Sequence, residues 1–149
     1  RVEIADLAHF GGIDRLNSTE SGPALQASVN DMLPSRRPDD AYDLVFCWEL
    51  PNYLTLNALS ALMNAIADRA RPGAVAHTLI YYAERDMREH PGRFVPTAEG
   101  EKLSDCSATR ATIAAPSYSP EYIEKGMGPF VLDRARQLSN GMQEFLFRL

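Results

Sequence analysis

Apolar positions recur along the chain at two different spacings. Between residues 56 and 70, Leu56, Leu59, Leu62, Met63, Ile66 and Ala70 fall three and four apart, the stripe of one helix face. Thr55 stands before the stripe as an N-cap, Arg69 and Arg71 sit at its far end where cations suit the helix dipole, and Pro72-Gly73 predicts the stop. Residues 42–48, "YDLVFCW", are apolar on both faces, as in an interior parallel strand, and residues 74–82, "AVAHTLIYY", read as another strand. Strand, helix and strand with short joins make a βαβ unit, which predicts an α/β fold.

The flanks are less regular. "RVEIADL" alternates Val2 and Ile4 with Glu3 and predicts a short strand ending at Asp6. The stretch after it, with Gly11-Gly12 and a Ser/Thr/Asn cluster, reads as loop with about one helical turn. In "GPALQASVNDMLP", Leu25, Val29, Met32 and Leu33 fit a helix face, while Leu25, Ala27 and Val29 fit a strand; Pro23 and Pro34 at the two ends favour the helix. Residues 84–118 carry no period and read as a lid-like insertion. "SPEYIEKGMG" is a short helix capped by Ser119 and opened by Pro120. Asn140-Gly141 between two strand-like runs predicts a closing antiparallel hairpin.

Composition narrows the partners. A hydrophobic fraction of 45% over 149 residues suits one packed domain. A net charge of −5 speaks against a nucleic-acid backbone or an anionic membrane as the main partner, since both call for a basic face. Cys47 and Cys106 form neither a CxxC motif nor a disulfide framework, so a cytoplasmic location is expected. His9, His77 and His90 are scattered, and no cluster has metal-ligand spacing.

A parallel βα series closed by an antiparallel hairpin resembles the class I S-adenosylmethionine-dependent methyltransferases. "YDLVFCWELPNYL" is similar to that family's fourth strand and the segment after it, "ARPGAVAHTLIYY" to the turn and fifth strand, and residues 119–149 to the last helix and hairpin. More narrowly, "NGMQEFLFRL" resembles an uncharacterised bacterial branch of the family. "VEIADL" resembles the second strand. The family's Gly-rich turn has no counterpart among the 149 residues, and the resemblance places it, with the first strand, before Arg1. The expected fold is therefore a mostly parallel, Rossmann-like methyltransferase sheet with a C-terminal antiparallel hairpin, N-terminally incomplete. A second copy of the chain is expected to supply the missing central strand.

The resemblance implies S-adenosylmethionine as cofactor and methyl transfer to a small-molecule acceptor. It places Asp6 on the ribose hydroxyls, with Leu7 beside it, and Trp48 as a wall of the cofactor pocket. Glu49 would orient or deprotonate the acceptor and Asn52 hold a polar group of it; Tyr81, Tyr82 and Glu84, at the next strand's end, would face the substrate. "ELPN" departs from the NPPY-type signature of enzymes that methylate nucleic-acid amino groups. A non-catalytic interaction or dimerisation module that has lost the cofactor site is the alternative.

Overall fold

The computed structural model describes residues 2–7, 11–35, 40–83, 85–97, 100–104 and 111–149. Its centre is the βαβ unit: β1 (Tyr42–Trp48), α3 (Leu56–Ala67) and β2 (Ala70–Tyr81), with β1 and β2 parallel. α3 forms because Thr55 caps it, its hydroxyl accepting the Ala58 N–H at 3.3 Å, and because Leu59, Leu62, Met63 and Ile66 share one buried face. Burying each of these side chains contributes about 1.5–3 kcal/mol. The helix ends at Ala67, short of Ala70, and Ala70 through Gly73 belong to the next strand. Arg69 still serves the helix end from outside, donating to the Ala65 carbonyl at 2.7 Å and to that of Pro34 at 3.1 Å.

α1 (Gly12–Ser18) and α2 (Pro23–Met32) precede the unit, and α4 (Pro120–Gly126) follows it. α2 and α4 both pack on α3, so the helices form one layer whose core includes Leu25, Val29, Leu59, Met63 and Ile123. Ser119 caps α4 by accepting the Tyr122 N–H at 3.2 Å, and Gly126 lies so close to α3 that a methyl group there would meet Leu59 at 2.5 Å. β7 (Val131–Gln137) and β8 (Met142–Arg148) make the expected hairpin, with Gly141 at φ 79° and the Asn140 side chain accepting the Met142 N–H.

The main sheet runs β1-β2-β8-β7, with β1·β2 parallel and β2·β8 and β7·β8 antiparallel. This corrects the mostly parallel sheet expected from the sequence. The difference begins at residues 2–7, which join no ladder among the described residues. The Leu7 N–H closes on the Ala5 carbonyl at 3.1 Å, the Leu7 side chain enters the core, and its carbonyl packs against Gly12. Val2 and Ile4, 77% and 82% exposed, point to solvent, so the alternation of "VEIADL" does not bury its apolar side. β1, read as an interior strand, is an edge strand of the described sheet.

The insertion carries two small antiparallel pairs, β3 (Asp86–Arg88) with β6 (Thr112–Ala114) and β4 (Arg93–Thr97) with β5 (Gly100–Ser104). Strands of three to five residues are too short for a period to show in the sequence.

Candidate functional site

The carboxyl end of β1 turns sharply. Trp48 takes φ 43°, in the left-handed region that a bulky residue rarely adopts, and the chain continues from Glu49 into a 3₁₀ turn, Leu50–Tyr53. The turn directs Glu49 inward, where it is 5% exposed. One carboxylate oxygen accepts the Tyr81 hydroxyl at 3.3 Å and the other the Gly92 N–H at 3.3 Å. Glu49 thus links the end of β1, the end of β2 and the insertion.

Asn52 fastens the same turn and is 2% exposed. Its two amide hydrogens go to the carbonyls of Glu49 and Leu79, each at 2.8 Å, and its oxygen accepts the Tyr81 N–H at 3.0 Å. The side chain imitates a strand partner for the end of β2. Among the described residues its oxygen accepts that one hydrogen bond and no other. Asn52 does not cap α3; Thr55 does, and the Thr55 N–H is itself held by Asn17 at 2.8 Å.

Beside this turn lies a cavity of about 620 Å³. Its polar lining comes from Asn52 and Tyr53 of the turn, Asp14 and Asn17 of α1, and Glu89 and His90 of the insertion. Ile13, Met87, Pro91 and Ile113 give it apolar walls. The Tyr53 hydroxyl donates to the Arg88 carbonyl at 2.9 Å. Burial first, then the charge of Glu49 and the neighbouring Tyr81, push its phenol well above the ordinary value of 10, with Arg88 opposing, so Tyr53 remains a donor. The Glu49 field therefore reaches the cavity through Tyr53, although Glu49 is not part of its lining. A smaller hollow of about 350 Å³ between α2 and α3 has no ionisable residue among its described lining and lies on the helical layer.

No family model matches the chain, and no curated protein matches it. Among solved structures the chain is similar to the glycopeptide N-methyltransferase MtfA complexed with (S)-adenosyl-L-homocysteine. The TM-score is 0.50 and the identity 11%, over 93% of this chain and 68% of that one. The MtfA complex with (S)-adenosyl-L-methionine aligns with a TM-score of 0.49 and 13% identity, over 91% of this chain and 70% of that one. The fold is methyltransferase-like.

On this methyltransferase-like fold the residues expected from the sequence divide. Glu49, Asn52 and Tyr81 meet at the ends of β1 and β2. Trp48 is half-buried and stacks on Phe46, ring centroids 5.3 Å apart, along the sheet face opposite the helices. Asp6 is exposed at the end of its extended segment, and Leu7 is a core residue against α1. Neither lines the cavity. Tyr82 is 52% exposed and tied through its backbone to Gly141 at the hairpin turn, while Tyr81 faces Glu49. Glu84 lies outside the described residues. Asp14, Asn17, Tyr53, Glu89 and His90 were not anticipated; of these only Tyr53 had a signal, its place in "ELPNY" directly after the strand end.

Proposed function

We propose that the protein transfers a methyl group from S-adenosylmethionine to a small-molecule acceptor, on a Rossmann-like methyltransferase arrangement. The observation that carries this reading is the conjunction at one place of a buried carboxylate, Glu49, and a cavity, both at the carboxyl end of the parallel pair. Ligands of open α/β sheets bind beyond that end. The MtfA structure whose fold the chain shares is a complex with (S)-adenosyl-L-homocysteine, which supports the choice of cofactor.

The residues present fit the methyl-bearing end of such a cofactor. That group supplies an electrophilic methyl on a cationic sulfur. Glu49, fixed by Tyr81 and Gly92, places negative charge where a cation is to be held. Asp6, an exposed acceptor-only carboxylate already engaged by a partner of its own, is the group this reading assigns to the ribose diol. The cavity orients the acceptor, and Asn52 keeps the Glu49 turn in register with β2. Positioning of this kind is worth up to about 7–11 kcal/mol of the barrier, so a dedicated base is optional.

Titration calorimetry with S-adenosylhomocysteine tests the reading. A saturable heat is expected, lost in Asp6→Ala and weakened in Glu49→Gln; absence of heat at millimolar ligand sinks it. An interaction module is the second reading, favoured by the sheet face that carries exposed Leu44 and Phe46. It predicts self-association without any response to S-adenosylhomocysteine.

A further inference from the structure

We propose that the cavity beside Asn52 and Tyr53 selects an acceptor bearing an amine on an apolar body. This deepens the methyl-transfer reading and rests on it. The volume of about 620 Å³ lies within the range of small-molecule sites, roughly 300–1,000 Å³. Ile13, Met87 and Ile113 supply an apolar wall suited to a ring or a short alkyl chain. Among the described residues its lining carries two carboxylates, Asp14 and Glu89, one imidazole, His90, and the Tyr53 phenol, which stays protonated. Among the described lining residues there is no lysine or arginine.

The two carboxylates come from different elements, α1 and the insertion, so a ligand between them sees negative charge from two sides. Among the described residues no side chain pairs with Asp14, and Glu89 stands 3.9 Å from the His90 ring nitrogen. Both acids are therefore open to a ligand's ammonium. Glu49 adds charge of the same sign behind Tyr53; Arg88, which acts against it there, is engaged by its own partner and is not among the lining residues. A carboxylate or phosphate acceptor would enter against this field with no guanidinium or ammonium among the described lining residues to receive it.

The chemistry is consistent with the charge. The amine binds as an ammonium and reacts as its neutral form. The nitrogen lone pair forms the N–C bond to the methyl carbon while the C–S bond breaks, and the electron pair stays on sulfur, which becomes a neutral thioether. The proton released from nitrogen passes to the solvent-facing carboxylate of Glu89 and on to water.

Three probes that share one apolar body test the selectivity on the full chain without cofactor: 2-phenylethylamine, 2-phenylethanol and phenylacetate, with affinity read from protein amide shifts. The amine is expected to bind about tenfold or more tighter than the other two. Asp14→Asn combined with Glu89→Gln is expected to bring the amine down to the level of the alcohol. Equal binding of all three, preference for phenylacetate, or an unchanged amine affinity in the double variant overturns the proposal. Parallel titration with S-adenosylhomocysteine separates the two claims. Cofactor heat without amine preference sinks the selectivity alone. Amine preference without cofactor heat keeps the amine site and removes methyl transfer.

Discussion

Trp48 is held at φ 43°, a conformation that costs a non-glycine residue about 1–2 kcal/mol. Trp48→Ala and Trp48→Gly both lose the stack on Phe46, so comparing them isolates the backbone. In an ordinary strand glycine is worse than alanine by about 0.5–1 kcal/mol. Here the order is expected to reverse, with the glycine variant more stable by about 1 kcal/mol in urea unfolding; equal midpoints would show that the turn does not impose the strain. Cys47 gives a second residue-level prediction. Burial pushes its thiol from 9.0 up to about 12, so its contribution to stability is complete below pH 9 and is lost as pH rises toward 12. The urea midpoint should hold from neutral pH to 9 and fall above it, and Cys47→Ala should remove part of that fall. Tyr118, raised by burial and its Tyr122 hydrogen bond from 10.0 to about 12, adds to the loss above pH 10. At this scale the sequence brought Glu49, Asn52 and Tyr81 to one strand end more readily than it told what each side chain does there. Glu49 after a buried strand was legible as a carboxylate at a strand end. The role of Asn52 was not, because its three partners are backbone groups of Glu49, Leu79 and Tyr81, two of them 27 and 29 residues away.

Elements were legible where local chemistry and long-range packing agree. α3 has a cap, an apolar face and neighbours on both sides, and α4 has Ser119-Pro120 and a packing partner; the hairpin has Asn140-Gly141 and a seven-residue ladder onto β2. Residues 2–7 have the period of a strand and, among the described residues, no strand neighbour to complete it, and period alone cannot supply a partner. The split of α3 from β2 was misplaced because Pro72-Gly73, a stop signal in isolation, sits within β2 with Gly73 at φ 84° and its N–H bonded to the Leu149 carbonyl. The α3–α4 contact supports a prediction of its own. A methyl group at Gly126 would stand 2.5 Å from Leu59 Cδ2 and 3.3 Å from Leu56 Cδ1, and Leu59 is fully buried with nowhere to move. Gly126→Ala should therefore destabilise by about 1–3 kcal/mol through overpacking, although alanine is the better helix former by about 1 kcal/mol. A stabilised variant in thermal or urea unfolding would mean that α4 can slide on α3.

For the molecule as a whole, the helices lie on one side of the main sheet. The other side presents Leu44 and Phe46, 50% and 42% exposed, with half-buried Val75, Leu79 and Leu146 beside them. β1 has the both-faces-apolar pattern of a covered strand, and among the described residues that second face is uncovered. Four strands of about seven residues give a footprint of roughly 19 by 23 Å. A stable interface takes about 800 Å² from each partner, so the face needs further surface beyond the sheet to reach it. The face also carries both signs of charge: Arg136 pairs with Glu144, which accepts from His77 at 3.2 Å, and Arg148 pairs with Asp133. A surface with both signs can meet a copy of itself across a two-fold axis without like charges opposed. Light scattering is accordingly expected to give twice the chain mass of 16.5 kDa. Leu44→Lys with Phe46→Lys, both on the uncovered face, should return a folded monomer, because the helical core on the other side of the sheet is untouched. A wild-type chain that stays monomeric and compact at high concentration would leave the apolar face unexplained and remove the second copy as its cover.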